Sequence, residues 1–247
     1  MKSLIRMNWM EAKLFLREPV GAFFTLVFPL MMLFLFGSIY GNQPEAMFGG
    51  QGTIDISLPA YTAMIIATTG LMSVTITMAA YRENGVLRRL RTTPVSPLVV
   101  LAAQVIVLFL MTAFGMLLLI IAGKLIYHVR FDGSVISVLA GFVLCSLSFF
   151  ALGFVLAGLL PTARTAQVVG MILLYPMLFL SGAGFPRELL PETIKKVSTF
   201  LPLTYVVNLL RGLWIGEAWG SHLLDVGVLI GILILGVAVS AITFRWE

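Results

Sequence analysis

Six apolar runs, each about 20 residues or longer, restrict the possible folds of this sequence more than any other feature. A helix needs roughly 20 mostly apolar residues to cross the hydrocarbon of a bilayer. The runs are rich in Leu, Met, Phe and Ala and lack the alternation expected of a membrane β-strand. They predict an all-α polytopic membrane protein with six transmembrane helices, at about 20–40, 58–80, 97–123, 134–160, 165–185 and 223–244.

The composition indicates the same class. The chain has 247 residues, of which 60% are hydrophobic and 11% charged, whereas an ordinary soluble domain is about a quarter charged. We therefore expect a single transmembrane domain over 1–247. One cysteine, Cys145, leaves no intrachain disulfide framework and no thiolate metal site. The first residues lack the apolar core of a cleaved signal peptide, so we expect the N-terminus to be retained.

The distribution of Lys and Arg predicts that both termini lie in the cytoplasm. An even number of spans places the termini on one side, and cytoplasmic loops carry an excess of Lys and Arg. The first two segments on that side hold eight of the sixteen cations, while the loop between them holds none. These eight are Lys2, Arg6, Lys13, Arg17, Arg82, Arg88, Arg89 and Arg91.

Residues 4–18 predict an amphipathic helix that lies on the inner membrane surface. Its apolar side chains, Trp9 among them, share one broad face of a helical wheel. Arg6, Lys13 and Arg17 fall beside that face, a pattern typical of a helix among anionic headgroups. We expect Trp9 and these three basic residues to contact membrane lipids. A simple topogenic anchor is the alternative.

A basic segment, 81–94, lies between the second and third runs. Its four arginines cannot lie in hydrocarbon. The segment predicts a short cytoplasmic helix over 82–93, with Asn84 as its N-cap and Pro94 as its stop. Leucines beside arginines would suit docking to a soluble partner, and we expect the segment to support no core of its own. The alternative is an ordinary positively charged loop.

The segment 186–214 is unlike the other loops. Pro191 and Glu192 suit the start of one short helix, and Leu203 to Trp214 predicts a second. Both are too short to span, so they predict an outer re-entrant helical hairpin that packs against protein. The alternative is a surface loop with two interfacial helices. His128 and His222 are expected to face interfacial water.

The sequence lacks the motifs of several function classes. It contains no G-x-x-x-x-G-K-[ST] phosphate loop and no metal-ligand spacing. Apart from Asp225, the predicted spans carry no charged residue in their interiors, whereas ion-coupled carriers commonly need such groups. We expect no catalytic residue, metal ligand or cofactor in this chain and no nucleic-acid partner. Energy for uphill transport would have to come from a partner.

Two motifs carry a family resemblance. Arg82-Glu-Asn-Gly-Val-Leu-Arg-Arg-Leu-Arg-Thr-Thr-Pro-Val-Ser-Pro97 resembles a coupling helix. Leu189-Leu-Pro191 followed by Leu201-Pro-Leu-Thr-Tyr-Val-Val-Asn-Leu-Leu-Arg211 resembles an outer hairpin. With six spans and an N-terminal amphipathic helix, the whole chain resembles the permease subunit of ATP-binding-cassette (ABC) exporters of the type-2 class, which includes drug-resistance and polysaccharide-export permeases.

The resemblance implies a permease in the bacterial or archaeal cytoplasmic (inner) membrane. Its implied partners are two ABC ATPase subunits, which would hold ATP and Mg, and a second copy of itself or a related permease. The implied cargo is hydrophobic or amphipathic, such as a drug (multidrug efflux), a lipid-like molecule or a glycolipid. The residues implied in ATPase coupling are Arg82, Glu83, Asn84, Gly85, Leu87, Arg88, Arg89, Leu90 and Arg91.

Mildly polar residues of the second and fifth spans are candidates for the translocation path: Thr62, Thr68, Thr69, Thr75, Gln167, Tyr175 and Ser181. Alternatively, their hydroxyls bond to their own helix or join helices. Gly153 and Gly158 are predicted close-packing positions. Two other functions stay open. One is an ATPase-independent channel or scramblase-like pore, for which the 81–94 segment would be dispensable. The other is an intramembrane enzyme, which the lack of a reactive constellation disfavours.

Overall fold

The structure is a computed structural model that describes residues 19–86, 97–187 and 190–243. Within these ranges it is built of helices, with no β-strand. Six helices there are long and apolar enough to cross a membrane. The predicted class, an all-α polytopic membrane protein, is therefore confirmed. The predicted interfacial helix at 4–18 and residues 87–93 of the predicted coupling helix lie outside the described ranges.

Two of the six long helices, α1 and α2, each contain a π-helical turn. Helix α1 comprises Pro19–Ala22, a π-helical turn at Phe23–Val27 and Phe28–Tyr40. Helix α2 comprises Thr53–Thr68, a π-helical turn at Thr69–Val74 and Thr75–Glu83. The others are α3 (Pro97–Tyr127), α4 (Val135–Leu159), α5 (Ala163–Leu180) and α8 (Leu223–Thr243), the last preceded by a 3-10 turn at Trp219–His222.

Helix α2 begins at Thr53, earlier than the residue 58 expected from hydropathy. The reason is a cap supplied from the preceding loop. The Asn42 Oδ1 atom accepts hydrogen bonds from the backbone N–H groups of Ile54 (3.0 Å) and Asp55 (3.1 Å). These bonds satisfy donors that the first turn of a helix leaves free, so the helix extends into a polar stretch.

Helix α2 forms the centre of the bundle, and all of its residues from Thr53 to Thr75 are buried. Glycines allow neighbouring helices to approach it closely. A Cβ atom at Gly153 of α4 would lie 2.2 Å from the Gly70 carbonyl oxygen of α2, and one at Gly170 of α5 would lie 2.7 Å from the Leu71 carbonyl oxygen. Gly153 is thus confirmed as a close-packing position. Helix α8 packs on α4, where Ser148 Oγ donates to the Leu229 carbonyl oxygen (2.9 Å).

Two short helices, α6 (Glu192–Ser198) and α7 (Pro202–Trp214), lie between α5 and α8. One side of α7 is buried against α2, α4 and α8, because its apolar residues recur at helical spacing. Its depth in the membrane stays a prediction. We call the end of the bundle that carries α6 and α7 the α6–α7 face, and the opposite end, with residues 82–86 and the α4–α5 turn, the Arg82 face.

Candidate functional sites at the two faces

At the Arg82 face, Arg82 ties the end of α2 to the end of α4. Its guanidinium donates one hydrogen bond to the Gly158 carbonyl oxygen (2.7 Å) and another to the Leu160 carbonyl oxygen. The last carbonyls of a helix have no partner within the helix, and they carry partial negative charge that favours a cation. Arg82 therefore satisfies the carboxyl end of α4.

Glu83, the next residue, contacts the start of α5. Its Oε2 atom accepts a hydrogen bond from the Ala163 backbone N–H (2.9 Å), at the first residue of α5. An anion at a helix N-terminus is electrostatically favourable. The sequence indicated no core for this segment to support, and Arg82 and Glu83 instead contact backbone groups at the α4–α5 turn.

Asn84, expected as the N-cap of a coupling helix, is instead the residue that ends α2. Its backbone N–H donates to the Ala80 carbonyl oxygen (2.9 Å). Gly85 follows with a φ of 64°, a left-handed conformation that glycine adopts without strain. The other residues predicted for coupling or for the interfacial helix lie outside the described ranges, namely Leu87, Arg88, Arg89, Leu90, Arg91, Arg6, Trp9, Lys13 and Arg17.

The candidate path residues of α2 are buried, and their hydroxyls bond within the bundle. Thr62 and Thr68 donate to backbone carbonyls one turn earlier, at Leu58 (3.1 Å) and Met64 (2.9 Å). Thr69 accepts from Thr112 Oγ1 of α3 (3.2 Å). These contacts are of the kind expected if the hydroxyls stabilise helices and their packing, and a path role for them stays a prediction.

Thr75 also bonds within the bundle. Its Oγ1 atom lies 3.3 Å from the carbonyl oxygens of both Gly70, in its own helix, and Gly153 of α4. It therefore adds a polar contact at the point where the glycine backbones of α2 and α4 meet.

The candidates of α5 differ from one another. Tyr175 is exposed, and its ring lies edge-on to Phe24 of α1, with the centroids 6.5 Å apart. Gln167 is half-buried, and Ser181 is buried just after α5, where its Oγ atom accepts from the Ala183 N–H (3.3 Å). The structure brings Tyr175, but not Ser181, to the exposed side of the bundle.

At the α6–α7 face, Asp55 joins the start of α2 to two loops. Its Oδ1 atom accepts from Asn42 Nδ2 (2.8 Å) and from the Arg130 N–H (2.9 Å), and its Oδ2 atom accepts from the Gly52 N–H (3.0 Å). Trp214 Nε1 of α7 donates to the Arg130 carbonyl oxygen (2.9 Å). The prediction of spans from hydropathy did not identify Asp55 as part of α2. A carboxylate three residues after Gly52 could have indicated a helix start there, because a side chain at that position can accept a hydrogen bond from the N-cap backbone N–H.

His222 lies between two carboxylates at the same face. Its Nδ1 is 2.9 Å from Asp225 Oδ2, and its Nε2 is 2.8 Å from Glu217 Oε2. His222 and Asp225 are both buried. The expectation that His222 faces water is therefore wrong, because the 3-10 turn before α8 folds it inward, whereas His128 is exposed. Within the described ranges no group of three or more His, Cys, Asp or Glu residues could hold a metal ion.

A small cavity lies between α2, α7 and the 182–187 turn. Its volume is about 20 Å³, room for about one water molecule. Its polar lining residues are Ser57, Tyr61, Arg187, Asn208 and Arg211. This cavity is therefore too small to hold a cargo of drug or lipid size.

The amino-acid sequence matches a known protein family and several named relatives. The family model described as ABC-2 type transporter matches residues 2–214. The chain is 33% identical over 99 residues to nodulation protein J of Rhizobium leguminosarum bv. viciae, which covers 40% of this chain and 38% of that protein. It is 24% identical over 162 residues to the probable multidrug ABC transporter permease YbhR of Escherichia coli, covering 65% and 44%.

A third relative matches over more of its length. The putative transport permease ycf38 of Porphyra purpurea is 23% identical over 237 residues, covering 92% of this chain and 79% of that protein. By contrast, the regions matched in nodulation protein J and in YbhR are less than half of the length of each of those proteins. Because the family model covers most of the sequence and six helices are long and apolar enough to cross a membrane, the chain is a multi-pass membrane protein that belongs to the ABC-2 type transporter family.

Proposed function

We propose that this permease exports a hydrophobic or amphipathic cargo, driven by two ABC ATPase subunits that dock on the Arg82 face. In this proposal the Arg82 face is cytoplasmic, in a bacterial or archaeal inner membrane, and ATP and Mg bind to the ATPases. A second copy or a related permease completes the translocation path. One relative is named as a probable multidrug ABC transporter permease and another as an inner membrane transport permease, and these names support an ATPase-driven permease in an inner membrane.

One observation carries the proposal. In a chain of this family, the end of α2 is tied by Arg82 and Glu83 to the turn between α4 and α5. The arginine-rich segment follows directly after these two residues. A partner that displaces the segment would therefore act on an end of the bundle where three helices meet. A charged surface there favours a soluble partner over lipid.

The test is capture of the tagged chain from native membranes. Arg88, Arg89 and Arg91 are changed together to Glu, which leaves Arg82 and Glu83 intact. The matched control changes Lys195 and Lys196 to Glu at the opposite face. We expect an ABC ATPase to co-purify in stoichiometric amount with the wild type and the control, and to be lost from the triple variant. A wild-type chain that purifies alone, and transports without any ATPase, would contradict the proposal.

A further inference from the structure

A surface pocket lies beside α6 at the α6–α7 face. We call it the Arg187 pocket, and its described lining residues are Arg187, Glu192, Lys195, Lys196 and Thr199. Its volume is about 380 Å³, which is within the range of small-molecule binding sites. Three of these side chains are cations and one is a carboxylate, so the pocket favours an anionic ligand.

Arg187 connects this pocket with the small cavity between α2, α7 and the 182–187 turn, because it lines both. Its half-buried guanidinium donates to two neutral oxygens, Asn208 Oδ1 (3.5 Å) and the Lys195 carbonyl (3.3 Å). Both distances are longer than a typical N–H···O bond. Among the described residues, no carboxylate forms an ion pair with Arg187. Since a guanidinium binds phosphate bidentately, an anion here would be a stronger acceptor than these two oxygens.

The lysines of α6 add positive charge on the same side of that helix. The lining residues of α6 recur at a spacing of three or four residues, which places them on one helix side. Glu192 Oε1 lies 2.9 Å from Lys195 Nζ, so one lysine matches the one carboxylate. Lys196 is exposed, and with Arg187 it leaves the pocket positively charged.

Hydrogen bonds to α7 hold the pocket in shape. Thr204 Oγ1 donates to the Ser198 carbonyl oxygen (2.6 Å), and the Tyr205 hydroxyl donates to the Thr199 carbonyl oxygen (2.6 Å). These two bonds fix the carboxyl end of α6 on the first turn of α7. A ligand would therefore meet cations that are already positioned, which lowers the entropic cost of binding.

Exposed apolar side chains lie in the same short segment as the cations. Val197 is 50% exposed, and Phe200, two residues after the end of α6, is 85% exposed. The ends of membrane-spanning helices lie at the level of the lipid headgroups, where an amphiphile presents an anionic group beside an apolar chain. Cations and apolar groups side by side suit such a molecule better than a free anion.

We propose that the Arg187 pocket binds the phosphate group of an amphiphilic molecule, with Arg187 and Lys196 as the residues that contact the phosphate. The apolar part of the molecule lies against Val197 and Phe200. The inference goes beyond the proposed function and does not depend on it, because binding at this face needs neither an ATPase nor transport.

The test is calorimetric titration of the purified chain in a non-ionic detergent. The probes are a short-chain phosphatidic acid, the diacylglycerol with the same chains, which lacks only the phosphate, and inorganic phosphate. We expect phosphatidic acid to bind most tightly, because diacylglycerol has no anion and inorganic phosphate has no apolar part.

Three variants locate the binding site. Arg187→Gln should weaken the binding of phosphatidic acid at least about tenfold, because charge-assisted hydrogen bonds are lost. Lys196→Glu should weaken it about fivefold, as expected for a charge at an exposed position. The matched control is Lys124→Glu, at the end of α3 on the same face, which is also exposed and lines neither cavity. Its affinity should stay within about twofold of the wild type.

Several outcomes would overturn the inference. Equal binding of phosphatidic acid and diacylglycerol would show that the phosphate is not recognised. An equal loss of affinity in Lys124→Glu and Lys196→Glu would show general attraction to a basic surface. If inorganic phosphate binds as tightly as phosphatidic acid, the ligand is a free anion and not an amphiphile. Should Arg187→Gln not fold, Lys196→Glu and its control make the same comparison at exposed positions.

Discussion

Three charged residues that the structure describes at helix ends bond to backbone groups and not to opposite charges. Asp55 accepts from two backbone N–H groups and an amide, Arg82 donates to two carbonyls, and Glu83 accepts from one N–H. Helix ends and loops supply such unpaired backbone groups. Because a buried group without a partner is costly, the buried residue among these three, Asp55, should matter most for stability.

Replacing Asp55 by Ala should destabilise the fold by about 2 kcal/mol or more, because the Gly52 and Arg130 N–H groups lose their acceptor. Thermal unfolding of the purified protein in detergent measures the effect. Asp132→Ala removes a carboxylate from an exposed position near the same face and should leave the midpoint unchanged. Equal midpoints for the two variants would show that Asp55 is not a stabilising centre.

The two histidines offer a second comparison. His222→Ala should lower the unfolding free energy by about 2 kcal/mol, because buried Asp225 loses the partner 2.9 Å away. His128→Ala, at an exposed position, should have no measurable effect. The same melting experiment tests both variants. A stable His222→Ala protein would mean that the contacts of Asp225 and Glu217 with His222 contribute nothing.

At the scale of helices, backbone contact between α2 and α4 explains why glycine is needed where they cross. A Cβ atom at Gly153 would meet the Gly70 carbonyl at 2.2 Å and the Val74 side chain at 2.9 Å. Rigid backbone cannot move aside locally, so the two helices would have to separate. Small residues at helix contacts are the main means of close packing in membranes, where lipid is as apolar as the side chains.

Gly153→Ala should therefore lower the thermal midpoint and reduce the yield of monodisperse protein on gel filtration in mild detergent. Gly231→Ala is the matched control, because no heavy atom lies within 4 Å of its added Cβ in α8. Alanine favours helix over glycine by about 1 kcal/mol, so the control should be neutral or slightly stabilising. If the two variants have the same thermal midpoint and yield, Gly153 is not needed for the close approach of α2 and α4.

At the scale of the whole molecule, α2 runs from the α6–α7 face to the Arg82 face, and the charged groups discussed above lie at one or the other of these two ends. Asp55, His222 and the cation-bearing helix α6 lie at one end, and Arg82, Glu83 and Arg164 lie at the other. The proposed function assigns the Arg82 face to the cytoplasm, as the distribution of Lys and Arg predicts.

Accessibility labelling tests this orientation. Single cysteines at Arg164 and Lys196, both exposed, are treated with a membrane-impermeant maleimide in intact cells and in inverted vesicles. We expect Lys196→Cys to react in cells and Arg164→Cys to react only in vesicles. The chain with only its native cysteine is the control, because Cys145 is fully buried and should not react. The reverse pattern would contradict the proposed orientation.

The sequence by itself determined the fold class, the six spans and the family resemblance, because hydropathy and motif order are properties of the chain alone. It also indicated Gly153 as a packing position. It did not determine that Asp55 belongs to a helix, because the start of α2 depends on Asn42 and Arg130, which lie outside that helix.

Only the tertiary structure decided which polar residues have partners. Glu83 and Ala163 are far apart in the sequence, as are Arg82 and Gly158, yet the packing of α4 and α5 around α2 brings each pair within hydrogen-bonding distance. Hydropathy reports how each residue interacts with solvent or lipid, and it contains no information on which helix end lies beside another. Those contacts arise from the way the glycine-lined helices pack.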